Sequence, residues 1–297
     1  MIGFPSSAGS YAAGQDRAPA ALRSSGIVDA LARRGLDVRD HGDLPEQIWR
    51  PDRTNPRAQN VDAVVAGLRL LARRVTPILE SGDILLVLGG NCTVALAVMA
   101  GLRGLGVGPP GLLYVDRNYD LNTPDSTTDG ALDWMGLAHG LALPGAVDAL
   151  VDAFGDRPLL EPFQVAWLGV QEEMSTSWER EQAVGLKISC KSSSEFVSDP
   201  LDAVRTLLHV LPTGPLAIHL DVDVLDFTDA PLAENTDGRN TGPTLEAATR
   251  ALSSASADHR FRALSIGELN PTRSVGEPDA IPRFCAAIAQ ILAGRTA

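Results

Sequence analysis

The stretch LLYVDRNYD, Leu112–Asp120, decides how the chain is read. Four apolar or aromatic residues run straight into Asp116-Arg117-Asn118-Tyr119-Asp120. A short apolar run of this kind reads as a buried strand. If the extended backbone continued past Val115, Asp116, Asn118 and Asp120 would share one face, because side chains alternate with a period of two. The pattern recurs at Leu216–Leu220, which runs into Asp221-Val222-Asp223. Ile84–Leu88 ends in Gly89-Gly90-Asn91-Cys92-Thr93, and Ala263–Ile266 ends in Gly267-Glu268-Leu269-Asn270-Pro271.

Further strands are expected at Met1–Phe4, Leu36–Arg39, Val165–Gly169 and Leu186–Ser189. Helices are expected near Ala18–Arg34, Val61–Glu80, Thr93–Leu102, Ala146–Phe154, Pro200–Leu211, Thr244–Ser253 and Pro278–Leu292. Val61, Val64, Val65, Leu68 and Leu71 carry the helical spacing that supports them. Eight strands alternating with helices predict one α/β domain over residues 1–297, a parallel sheet with helices on both faces. Ligands in such sheets bind at the carboxyl ends of the strands. One acidic pair after a strand is weak evidence, since Asp often caps the next helix. Two acidic clusters plus Glu268 are harder to dismiss. Packed without a counter-ion, such carboxylates repel and raise each other's pKa values. Hard divalent cations with oxygen ligands relieve that repulsion.

Composition narrows the partners. Acids outnumber bases 37 to 25, giving a net charge of −12. That disfavours nucleic acid and anionic membrane surfaces. Three scattered cysteines make no disulfide framework and fit a reducing cytoplasm. No secretory signal is expected. Ile84–Leu102 carries no charge over 19 residues, yet Gly89-Gly90-Asn91 at its centre predicts strand, turn and helix rather than a membrane span.

At these residues the sequence resembles the arginase/agmatinase (ureohydrolase) family. GGNCT (Gly89–Thr93) looks like the family's GGDHS, and VDRNYDLNTP (Val115–Pro124) looks like its VDAHxDxNTP. HLDVDVLD (His219–Asp226) and ELNP (Glu268–Pro271) look like its SxDxDxxDP and EVNP segments. The likeness is collinear from Gly3-Phe4-Pro5 onward; few residues precede Pro5, so the first strand is expected to be clipped. The resemblance implies a three-layer arginase-like fold and a homo-oligomer, trimeric or hexameric. It also implies two Mn2+ ions sharing a hydroxide that attacks a guanidinium carbon and releases urea. Asp116, Asp120, Asp221 and Asp223 match its metal-binding aspartates. Glu268 matches the acid that pairs with the guanidinium, and Asn122 and Thr127 match its substrate loop.

The departures bear on function. Cys92 and Asn118 stand where the family has its two His ligands, and Asp133 stands at its proton-relay His. None of the five His occupies a family ligand position. Thiolate suits Zn2+ or Fe2+ better than Mn2+. The expectation is an ion held by Cys92, Asp116, Asp120 and Asp221, and a weak or absent one beside Asn118, Asp116, Asp221 and Asp223. Asp129, at a position reading the substrate's α-carboxylate, would repel it. The expected substrate is therefore a small cationic guanidine or amidine other than L-arginine, with Asp133 or His139 moving protons. The alternative is a catalytically degenerate relative that binds a cationic ligand, needs no metal, or serves as a partner subunit.

Overall fold

The computed structural model describes residues 1–234 and 240–294. Within them, seven strands form a single parallel sheet: β1 (Ile2–Gly3), β2 (Leu85–Leu88), β3 (Gly111–Val115), β4 (Val165–Val170), β5 (Ser189–Ser192), β6 (Leu216–Asp221) and β7 (Phe261–Gly267). Their order across the sheet is β1-β2-β7-β6-β3-β4-β5. The period-two alternation of each strand feeds two separate cores. Leu86, Leu88, Leu113, Val115, Ile218, Leu220, Leu264 and Ile266 face one. Leu85, Val87, Leu112, Tyr114, Ala217 and Ala263 face the other. Helices Ala18–Ser24, Ile27–Arg33, Pro200–Val210, Leu245–Ser256 and Ala280–Ala293 cover the first face, and Val61–Glu80 and Val94–Gly104 the second. The arrangement is the expected three-layer α/β sandwich.

The strand count is seven rather than eight among the described residues. Leu36–Arg39 forms no strand, because Asp37 and Arg39 stand in solvent and only loose contacts tie the segment to the sheet edge. There the Met1 amino group donates to the Arg39 carbonyl at 2.8 Å, and His41 N donates to the Met1 carbonyl at 2.9 Å. The expected strand at Leu186–Ser189 moves to Ser189–Ser192, since a helix over Ser177–Leu186 claims Leu186. That helix starts with a capping box, Thr176 accepting from Glu179 N while Glu179 accepts from Thr176 N. The expected helix Ala18–Arg34 is split into two at Gly26, whose φ of +84° is left-handed.

The order of the strands positions the site. The four that end in chemistry-bearing residues, β2, β7, β6 and β3, are consecutive neighbours. In register, Asp221 sits opposite Gly267, and Val115 opposite Leu220. Residues 92, 116, 221 and 268, far apart in the chain, thus meet along one edge of the sheet.

No helix among the described residues is long and apolar enough to cross a membrane. Ile84–Leu102 is divided by the turn at Gly89–Thr93, as its glycines predict. Gly90 in that turn has φ +91°, and a Cβ there would stand 2.7 Å from the Phe4 ring and 3.2 Å from the Phe4 carbonyl oxygen. Gly90→Ala is expected to destabilise the fold by about 1–3 kcal/mol, read as a lowered midpoint in chemical denaturation. An unchanged midpoint would show that this turn carries no strain.

Candidate metal centre

Past Val115 the chain does not stay extended. Asp116 Oδ1 accepts from Asn118 N at 2.6 Å, closing a turn, and Asp120 adopts a left-handed φ of +55°. The shared strand face expected for Asp116, Asn118 and Asp120 is therefore replaced by a loop that curls Asp116 and Asp120 inward. Asn118 remains half-buried. After β6, Asp221 caps a short 3-10 turn, its Oδ1 accepting from Asp223 N at 2.8 Å. The capping role leaves each of these carboxylates a second oxygen that faces the others.

Two groups of ligand atoms result. Cys92, Asp116 and Asp221 offer atoms lying within 4.8 Å of one another, and so do Asp221, Asp223 and Glu268. Asp221 belongs to both. All five of these residues and Asp120 are buried. Asp116 Oδ2 and Asp223 Oδ1 have no hydrogen-bond partner although fully shielded from water. Burial pushes the carboxyls of Asp116, Asp120 and Asp221 well above the usual range, and the neighbouring aspartates push further in the same direction. Tyr114 Oη opposes this at Asp120 by donating to its Oδ2.

Cys92 remains a thiol. Burial raises its pKa, Asp221, Asp120 and Asp116 raise it further, and its Sγ lies 2.9 Å from Asp221 Oδ2, the acceptor of its proton. A neutral, carboxylate-ringed thiol is a poor nucleophile. Room for the sulfur comes from Gly267, where a Cβ would lie 3.0 Å from both Cys92 Sγ and the His219 ring. His219 itself donates to or accepts from Ser265 Oγ at 2.9 Å and stacks on Tyr114, with ring centroids 4.9 Å apart.

Asp133 is buried beside the two groups of candidate ligand atoms, close enough to Glu268 for their charges to act on each other. Burial, with Asp221 and Asp133 adding to it, raises Glu268 well above its ordinary value. Burial likewise pushes Asp133 up to about 6. Two neighbouring buried carboxyls disfavour each other's ionisation. Asp129 is exposed, and its charge contributes to raising Asp133. Tyr11, half-exposed, lies within reach of the charges of Glu234, Glu268 and Asp133.

Asn122 is fully buried, its Oδ1 accepting from Ser126 Oγ at 3.0 Å and Thr176 Oγ1 at 2.9 Å, so it ties the loop together from within. Thr127 is half-buried, with a shielded hydroxyl that lacks a partner. His139 is buried, with Nδ1 2.7 Å from the Met135 carbonyl. Burial takes its pKa down to about 4, and no carboxylate of the centre acts on it. Sequence reading missed Arg117. It is buried, and its Nε lies 2.5 Å from Asp223 Oδ2. The signal was in plain view, since VDRNYD carries a guanidinium where the resembling motif has a small alanine.

A sequence profile described as the arginase family matches residues 1–292. The chain belongs to the arginase family. Members of the family similar to it include the arginase of Bacillus subtilis, 28% identical over 78% of this chain and 77% of that one. Human arginase-1 is 28% identical over 77% of this chain and 73% of its own. Among solved structures, the arginase of Bacillus caldovelox superposes with a TM-score of 0.84 at 24% identity, covering 99% of this chain and 96% of that one. A Trypanosoma cruzi formiminoglutamase variant solved with Mn2+ superposes with a TM-score of 0.74 at 17% identity, covering 99% and 91%. At these identities the superpositions establish the shared arginase fold.

The acidic pair makes a pH prediction. An acid whose folded pKa exceeds its unfolded one favours folding below the unfolded value, and that contribution is lost as pH rises through the folded one. For Asp133 the window runs from the ordinary value of 3.8 to about 6. Metal-free protein should therefore lose thermal stability across that window. Asp133→Asn should flatten the decline by on the order of 5 °C, measured as Tm against pH. An identical slope in the variant would remove Asp133 from the account.

Proposed function

We propose that this member of the arginase family is a metal-assisted hydrolase of a C–N bond in a guanidine or amidine other than L-arginine. The observation that carries the reading is the pair of buried ligand-atom groups joined at Asp221, with Glu268 in one of them. Family membership supports the coarser statement, a hydrolase of the arginase type. The donor set fits a divalent cation. Asp116 Oδ2 is shielded and unpartnered, and its group supplies carboxylates and one sulfur in a single cluster. Cys92, Asp116, Asp120 and Asp221 would hold the ion, Mn2+ or, given the sulfur, Zn2+ or Fe2+. Bound there, the ion would supply Lewis-acid polarisation and a water acidified to neutral pH.

The protein's own residues supply the rest. Glu268 faces the cationic carbon–nitrogen group, matching guanidinium or amidinium in charge and planar fork. Arrival of the cation favours the ionised forms of Glu268 and Asp133, because a positive charge beside two carboxyls lowers both pKa values. Asp133, which burial raises to about 6 before the cation binds, is then ionised and suited to take a proton from water and return it to the leaving nitrogen. Asp129, exposed and negative, disfavours a substrate carboxylate near Asp133. His139, the alternative relay, is buried against the Met135 carbonyl with its pKa lowered to about 4, which makes it the weaker base near neutral pH.

One observation favours a second reading, a cation-binding protein without turnover: Asp223 already has a positive partner in Arg117. A single experiment separates the two. Urea, ammonia or formamide release is followed across alkylguanidines, hydroxyguanidines, formimidoyl compounds and L-arginine, with Mn2+ or Zn2+ present. Hydrolysis is expected for a substrate lacking the α-carboxylate at least ~10-fold faster than for L-arginine, and Glu268→Gln should reduce it by about 100-fold or more. Saturable binding without release across the panel would sink the hydrolase reading and support the second. Preference for L-arginine would sink the proposed substrate class alone.

A further inference from the structure

Arg117 is buried among the carboxylates, and the charges of Asp223, Asp221, Glu268 and Asp116, in that order, favour its charged form. Its side chain is 9% exposed, that of Asp223 2%, and Nε lies 2.5 Å from Asp223 Oδ2. A buried guanidinium persists only where carboxylates surround it. Here it pairs with Asp223, which belongs to the group Asp221, Asp223 and Glu268 and not to the group Cys92, Asp116 and Asp221. The turn that follows β3 explains the placement. Asp116 Oδ1 accepts from Asn118 N, which curls the chain and directs the intervening residue's side chain toward β6 rather than toward solvent.

We propose that the Arg117 guanidinium takes the place of a second metal ion, so that the centre binds one divalent cation, on the Cys92–Asp116–Asp221 side. The proposal rests on the metal-centre reading of the preceding section and deepens it. Asp223 is spent on Arg117, and a divalent ion entering between Asp221 and Asp223 would meet a fixed positive charge at contact distance. Asn118, half-buried, offers only a neutral amide on that side. On the other side, Asp116 Oδ2 is shielded and without a hydrogen-bond partner, in the group that does not include Asp223 and its ion pair. Charge is thus divided between a permanent side chain and one exchangeable ion. The weak second ion expected from the sequence receives a cause here that the missing imidazole alone does not provide.

The test counts ions. Full-length protein is saturated with Mn2+, freed of loose metal, and analysed for Mn2+ per chain and by electron paramagnetic resonance. The wild type is expected to bind one ion per chain with the spectrum of an isolated Mn2+. Asn118→His, which adds an imidazole and leaves Arg117 in place, should still bind one. Arg117→Ala combined with Asn118→His should bind two, with the broadened spectrum of a spin-coupled pair. Two ions in the wild type or in Asn118→His would overturn the proposal, because the guanidinium then blocks nothing. One ion in the double variant, with its fold verified by circular dichroism, would overturn it as well. No ion in any of the three proteins, with Zn2+ tried in parallel, would instead defeat the metal-centre reading on which the proposal stands.

Discussion

Burying carboxylates side by side is unfavourable unless positive charge comes with them, and this chain buries Asp116, Asp120, Asp221, Asp223 and Glu268 at the edge of one sheet. The cost of desolvation, with their mutual repulsion added to it, pushes the carboxyls of Asp116, Asp120, Asp221 and Glu268 well above the ordinary range. The surrounding structure responds to that constraint. Tyr114 and Cys92 donate to two of the acids, backbone amides of Asn118 and Asp223 to two, and Arg117 supplies a full charge. Asp116 Oδ2 is left without a donor on the side away from the Arg117–Asp223 pair, and there an ion has most to gain.

Much of the fold was legible because strand and helix periods are written into the apolar residues. The helix Val61–Glu80 occurs with the bounds its spacing predicts. The sheet's two cores follow from alternation alone. The misreadings have local causes. Leu36–Arg39 has the alternation of a strand but lies beyond the sheet edge with its polar residues in water. Ser177–Leu186 is nearly polar enough to pass for a loop, and only the Thr176–Glu179 capping box signals its start.

The centre was legible in part for a different reason. Acidic residues after strands point at the carboxyl edge whatever the loop does next, so Asp116, Asp120, Asp221, Asp223 and Glu268 were findable. Loop conformation was not. No periodicity foretells that Asp120 turns left-handed or that Asn122 ends inside its loop, held by Ser126 and Thr176. Arg117 escaped for the same reason. A charged residue on a loop ordinarily faces water, and only the turn closed by Asp116 and Asn118 sends it inward.

The order of the strands has a consequence for how this centre comes into being. β2 and β7 are sheet neighbours, yet Leu85 and Ala263, which face each other, are separated by most of the chain. Parallel pairings of such long range close large loops and form slowly. Until β7 has slotted between β2 and β6, Cys92 and Asp221 belong to separate fragments and no cage exists to grip an ion. Metal capture would therefore accompany the last steps of folding rather than seed the first. A nascent chain truncated before Phe261 would hold every aspartate of the centre and still be unable to assemble it.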